Sequence, residues 1–144
     1  MHKNNVIHRD IKPANIFRTE NGTFKIADLN VSKIIANGDL AKTKAGSPLY
    51  VCPEVWNKEE GYNEKCDIWS LGVVTYELCC LKVPYEASSI DELIRKQKTV
   101  RLKNIPTGYS AALNELIHEM LQYNPKRRIN ADRIRLACLK NLKL

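Results

Sequence analysis

Metal-binding cysteine spacing is missing from this chain. Its five cysteines, Cys52, Cys66, Cys79, Cys80 and Cys138, include no Cys-x-x-Cys pair and no histidine at zinc-ligand distance, so thiolate metal sites of the common kinds are not expected. Cys79 and Cys80 fall in an apolar stretch where a free cysteine behaves as a small buried hydrophobe, and a reducing compartment is the economical expectation. Long apolar runs are missing too. The longest are broken by Glu77 and Lys82, far short of the ~20 residues a bilayer demands, and no segment reads as a signal peptide. No Gly-x-Gly-x-x-Gly loop occurs anywhere to cradle phosphates. Aromatics are absent from the basic end of the chain. The net charge of +7 gathers there, as Lys126, Arg127, Arg128, Arg133, Arg135, Lys140 and Lys143 against Asp132. Without a stacking platform that face reads as a solvated helix surface, or a dock for an acidic partner, rather than a nucleic-acid binder.

What is present suffices for one hydrophobic core in 144 residues, without repeats or low-complexity tracts. Ile16-Phe17 and Phe24-Lys25-Ile26-Ala27 are short strand candidates around Glu20-Asn21-Gly22, a hairpin turn signal. Such a hairpin brings Asn15 and Asp28 to the same end of its ribbon. Residues 31 to 54 show little periodicity, as expected of a loop. From Asp67 to Leu81 the chain is apolar nearly all round, which predicts a helix buried on several faces. Ser89-Ile90-Asp91-Glu92 is a capping box opening a helix to about Lys98. Leu113, Leu116, Ile117, Met120 and Leu121 follow i, i+3, i+4, i+7, i+8 spacing, and Asn130 can cap a last helix to about Leu142.

The chemistry concentrates in His8-Arg9-Asp10-Ile11-Lys12-Pro13-Ala14-Asn15. Phosphoryl transfer needs a base beside the attacking hydroxyl, a cation on the γ-phosphate and an oxygen ligand for Mg²⁺; Asp10, Lys12 and Asn15 are of those kinds. Asp28-Leu29-Asn30, Gly46-Ser47-Pro48 through Cys52-Pro53-Glu54, Asp67-Ile68-Trp69-Ser70-Leu71-Gly72 and Asn124-Pro125-Lys126-Arg127-Arg128 follow in order. In this series the chain resembles the eukaryotic protein kinases, and Lys12-Pro13 resembles their serine/threonine branch. The stretch from Tyr62 through Ile105-Pro106 and Tyr109-Ser110 to Asn124-Pro125 is similar to the NIMA-related kinases.

The resemblance implies a mainly α fold: a kinase-like C-lobe with a short β-hairpin beside the catalytic loop, and no N-lobe. Residues 1–144 would be a partial kinase domain, with a catalytic loop at 8–15, an activation segment at 28–54 and a helical core at 63–144. Met1 to Ile7 looks like the tail of the helix leading into the loop, so the chain reads as a fragment or truncated gene model.

The resemblance further implies transfer of the ATP γ-phosphate to Ser and Thr hydroxyls of protein substrates, with ATP and Mg²⁺ required. Asp10 would be the catalytic base, Lys12 the cation on the phosphate, and Asn15 and Asp28 the metal ligands. Arg9 would meet a phosphate on Thr43, and Ser47 would hydrogen-bond Asp10 and Lys12. Glu54 and Arg128 would form a buried ion pair, and Asp67 would hold the catalytic-loop backbone. Asn30 departs from the family glycine, although Asn tolerates positive φ better than most residues. The alternative is an inactive truncated kinase or pseudokinase serving as a protein-interaction module. Neither nucleic acid nor membrane is an expected partner. A cytoplasmic location, in some relatives at the cytoskeleton or cilium, is implied by the family alone.

Overall fold

Val6–Ile7 (β1) and Lys33–Ile34 (β4) form a two-stranded antiparallel pair with Val6 opposite Ile34 and Ile7 opposite Lys33. A computed structural model describes residues 1–29, 33–34, 48–56 and 61–141 of the chain. A second antiparallel pair joins Ile16–Arg18 (β2) to Phe24–Ile26 (β3), with Ile16 opposite Ile26. Among the described residues four α-helices follow: Lys65–Cys80 (α1), Ile90–Thr99 (α2), Ala111–Met120 (α3) and Ala131–Asn141 (α4). The architecture is mainly α, with the β2–β3 hairpin directly after the His8–Asn15 loop.

The hairpin forms where Asn21-Gly22 allows the chain to reverse. Gly22 adopts φ +83°, the left-handed region in which a side chain is strained, and its N–H donates to the Thr19 carbonyl. Thr19 Oγ1 and Asn21 Oδ1 then accept from the Thr23 N–H.

Helix α1 runs through the core because almost every turn of it is apolar. Ile68, Trp69, Val73, Val74 and Tyr76 are buried, with Trp69 and Val73 fully enclosed. Around this post pack Leu93 of α2, Ile117 and Met120 of α3, Ile105 and Ile129. Gly72 sits where α3 crosses: a Cβ there would lie 2.9 Å from the Met120 Cβ. Trp69 stacks on Tyr85 with ring centroids 6.1 Å apart and planes 9° from parallel.

Each later helix has a side-chain cap. Ser89 accepts from the Glu92 N–H, Ser110 from the Leu113 N–H and Asn130 from the Arg133 N–H. The α2 box differs from its sequence reading in one bond. Glu92 Oε2 accepts from the N–H and hydroxyl of Ser88, one residue before the cap, while Oε1 pairs with Lys96 at 2.9 Å.

Ahead of the loop, His2–Asn4 make one 3-10 turn, which Asn5 ends in the left-handed region at φ +55° before β1 begins. One expectation is corrected: the cysteines are not all free. Cys52 and Cys66 are disulfide-bonded with Cα atoms 5.3 Å apart, while Cys79, Cys80 and Cys138 are thiols. Because a pairing partner is chosen by the fold rather than by spacing, the absence of a Cys-x-x-Cys motif could not reveal this bond.

Candidate active site

The His8–Asn15 loop leaves β1 and is fastened from below by α1. Asp67, in the first turn of α1, accepts the N–H of Arg9 on Oδ1 and that of His8 on Oδ2, both at 2.9 Å, and His2 Nε2 lies 2.7 Å from Oδ2. Asp67 is 2% exposed, so these contacts are made away from water, where a charged acceptor is strongest. They hold an uncommon conformation. Arg9 has φ +76°, a region that costs a non-glycine residue free energy unless its surroundings enforce it.

His8, fully buried, ties the loop to the β3 end of the hairpin. Its Nε2 bonds the Ala27 carbonyl at 3.0 Å while Nδ1 accepts from the Asp10 N–H at 3.3 Å. Those partners require the tautomer with its proton on Nε2. The sequence reading assigned His8 no role, and only its place between β1 and Asp10 could have suggested one.

Above this anchorage three reactive groups converge. Lys12 Nζ lies 2.6 Å from Asp10 Oδ2, and Asn15 Nδ2 donates to the same oxygen at 3.0 Å and to the Asp10 carbonyl at 2.8 Å. The other carboxylate oxygen, Asp10 Oδ1, is buried and has no hydrogen-bond partner among the described residues. Such an atom is unfavourable in a resting fold and is the oxygen available to accept a proton. The Ala27 N–H donates to the Asn15 carbonyl at 2.9 Å, closing the open end of the hairpin. Asp28 follows at once, exposed, with φ +64°. The hairpin thus brings Asp28 to the end that carries Asn15.

These residues suit a hard divalent cation. Asn15 commits its NH₂ to Asp10, so its carbonyl oxygen is the group left to face a metal. With the Asp28 carboxylate it makes an all-oxygen donor set of the kind Mg²⁺ takes.

Behind the loop, Arg128 reaches Glu54 with both terminal nitrogens, at 2.6 Å to Oε1 and 2.9 Å to Oε2. The stretch before Glu54 is bonded down as well. Ser70 Oγ donates to the Tyr50 carbonyl, and buried Gln97 Nε2 to that of Val51. Tyr50 donates its hydroxyl to Glu77 at 2.8 Å; burial first, and that carboxylate second, push its pKa up to about 12. Burial also raises the Tyr62 phenol, with Arg9 acting against it. Asn30, Thr43 and Ser47 lie outside the described residues. A cleft of about 700 Å³ is lined by His2, Ile11, Ile68, Leu71 and Asn130 among others, and of the described candidate residues only Asp67 reaches it.

The family model described as protein kinase domain matches residues 1–137. The chain is 42% identical over 132 residues to serine/threonine-protein kinase Nek3 of Mus musculus, covering 91% of this chain and 26% of that protein. It is 42% identical over 130 residues to serine/threonine-protein kinase Nek2 of Homo sapiens, covering 90% and 29%. It is also 39% identical over 123 residues to the G2-specific protein kinase nim-1 of Neurospora crassa, covering 85% and 14%. The chain therefore spans less than a third of the length of these curated relatives.

Proposed function

Since this chain belongs to the protein kinase domain family, and within it is similar to the NIMA-related kinases, we propose that it supplies the catalytic lobe of a serine/threonine kinase. The reaction is transfer of the γ-phosphate of ATP to Ser and Thr hydroxyls of protein substrates. The observation that carries this reading is the convergence on one Asp10 oxygen of Lys12 and Asn15, with the second oxygen buried and unpartnered among the described residues.

In this reading the free oxygen of Asp10 orients the substrate hydroxyl and takes its proton, while Lys12 supplies positive charge to the phosphate in flight. Asn15 and Asp28 would hold Mg²⁺, which supplies charge neutralisation between the phosphates when bound. Asp67 fixes the backbone of Arg9, and so the position of Asp10, from the α1 side. Thr43 would be the phosphate acceptor that Arg9 meets, and Ser47 the hydroxyl beside Asp10 and Lys12. Residues 8–15, 28–54 and 63–144 would be the catalytic loop, activation segment and helical core of a partial kinase domain. A cytoplasmic location and protein partners complete the proposal.

A second reading is a protein-interaction module without catalysis, in which the bonds of Lys12 and Asn15 to Asp10 hold the shape of the loop and transfer no phosphate. One pair of assays separates the two. In the longest product that carries this chain, Asp10→Asn should lower phosphorylation of a Ser/Thr protein substrate about 10²–10⁴-fold without loss of fold. Equal rates for both forms would leave the interaction module. Assayed alone, the 144-residue chain should show no micromolar ATP affinity by calorimetry.

A further inference from the structure

We propose that Cys52 and Cys66 are a reversible thiol–disulfide lock that fastens the Val51–Trp56 stretch to the first turn of α1. The bond closes a sequence separation of 14 and joins two elements that the catalytic reading needs in fixed relation. Cys52 lies two residues before Glu54, the partner of Arg128, and Cys66 immediately precedes Asp67, which holds the backbone of His8 and Arg9. One covalent link therefore spans the segment and the anchor of the loop.

The surroundings make it a two-state pair. Cys66 Sγ lies 3.4 Å from Glu54 Oε1. As half of a disulfide that sulfur has no proton to give; as a thiol it donates to the Glu54 carboxylate, so both states are accommodated without an unpaired group. A thiolate at Cys66 is disfavoured by the same carboxylate. Both cysteines line one small cavity whose wall includes Arg9, a cation that favours a thiolate at either, so the Glu54 contact at Cys66 leaves Cys52 the better nucleophile.

Closure is a thiol–disulfide exchange. The Cys52 thiolate attacks one sulfur of a low-molecular-weight disulfide such as oxidised glutathione, expelling one glutathione thiolate. The Cys66 sulfur then attacks the mixed disulfide at the Cys52 sulfur and expels the second. Two protein thiols are oxidised, two glutathione thiols are formed, and excess reduced glutathione runs the sequence backwards. Both cysteines are buried, at 1% and 5% exposure, and the adjoining cavity is about 20 Å³, room for a water but not a tripeptide. Exchange therefore waits on local opening of the segment.

A metal is the competing use of the same atoms. The Cys52, Glu54 and Cys66 ligand atoms lie within 4.8 Å of one another. Yet both Glu54 oxygens are held by Arg128, and the described residues offer no fourth ligand.

The lock's consequence for phosphoryl transfer rests on the kinase reading, but its test does not. The full chain would be equilibrated in glutathione buffers running from reduced to oxidised, acid-quenched, alkylated, digested and analysed by mass spectrometry. The Cys52–Cys66 cross-linked peptide should form and disappear reversibly with one midpoint, while Cys79, Cys80 and Cys138 remain alkylated. The oxidised form should melt about 5–10 °C above the reduced form. Amides of residues 51–56 should exchange at least tenfold more slowly. Cys52→Ser and Cys66→Ser should abolish these differences; should either fail to fold, wild-type protein alkylated after reduction serves instead. A pair that stays reduced in excess oxidised glutathione, equal melting of the two forms, or stoichiometric zinc retained by the reduced protein would overturn the proposal.

Discussion

Arg128 uses all five of its N–H donors, and Glu54 takes two of them. The guanidinium gives one bond from each terminal nitrogen to the carboxylate, one to the Lys65 carbonyl, one to that of Tyr123 and one from Nε to that of Gln122. Its plane also lies over Trp69, with Cζ 5.1 Å from the ring centroid. A lysine could satisfy neither the fork nor the stacking. Its surroundings leave no water to compensate a missing partner, since the Arg128 side chain is wholly buried.

Truncating one member of this pair therefore strands the other. Glu54→Ala and Arg128→Met should each lower unfolding free energy by about 3–5 kcal/mol. The double variant should lose less than the sum, because the second change removes the stranded charge. Urea titrations of the four forms measure this, and additive losses would mean that the two residues act independently.

Gly72→Ala sets two effects of opposite sign against each other. Alanine favours a helix interior by about 1 kcal/mol over glycine. The new methyl, however, would stand 2.9 Å from the Met120 Cβ, a backbone-fixed atom, and 3.0 Å from the Leu121 side chain. Overpacking of that kind costs about 1–3 kcal/mol. We expect a net loss of stability, seen as a lower denaturation midpoint; a rise would show that α3 can yield there.

Phenol titration should erode stability in alkali. Tyr50 and Tyr76 are both raised to about 12, first by burial and then by Glu77 and Cys80 respectively. Between pH 10 and 12 the folded chain keeps protons that the unfolded chain has released. Stability is thus full below 10 and falls as pH climbs towards 12. Phenolate absorbance and thermal melts across that range test it, and Tyr50→Phe should flatten part of the slope.

The sequence made visible whatever repeats or caps. Helix α3 follows from the spacing of Leu113 to Leu121, α1 from apolar residues on every face, and the hairpin from Asn21-Gly22. Hidden from it were features too short to show a pattern or decided by which groups meet. The β1–β4 pair is two residues long on each side, too short for alternation to register. The Cys52–Cys66 bond depends on which elements meet. Glu92 turned to Ser88 rather than Ser89 because both the N–H and hydroxyl of Ser88 lie within reach. Within the site, residue types and order were legible, but the distances that bring Lys12 and Asn15 to a single Asp10 oxygen were not.

Asp67→Asn should loosen the loop without unfolding the core. The amide side chain offers one oxygen where two now accept, and loses the charge that makes such bonds worth about 1.5–3 kcal/mol. Hydrogen exchange at the His8 and Arg9 amides should accelerate at least tenfold, with α1 amides unchanged. Equal protection in both forms would mean that the loop is held elsewhere.

The same carboxylate links the lifetimes of two parts of the chain. Because the anchor of His8 and Arg9 is a side chain in the first turn of α1, any sub-global opening that frays that turn also releases the loop. Once the start of α1 has melted, the loop keeps only its ties to the hairpin and to itself, through His8 and Asn15. The fully fastened loop is therefore at most as long-lived as one helical turn, and its full set of bonds returns only when that turn does.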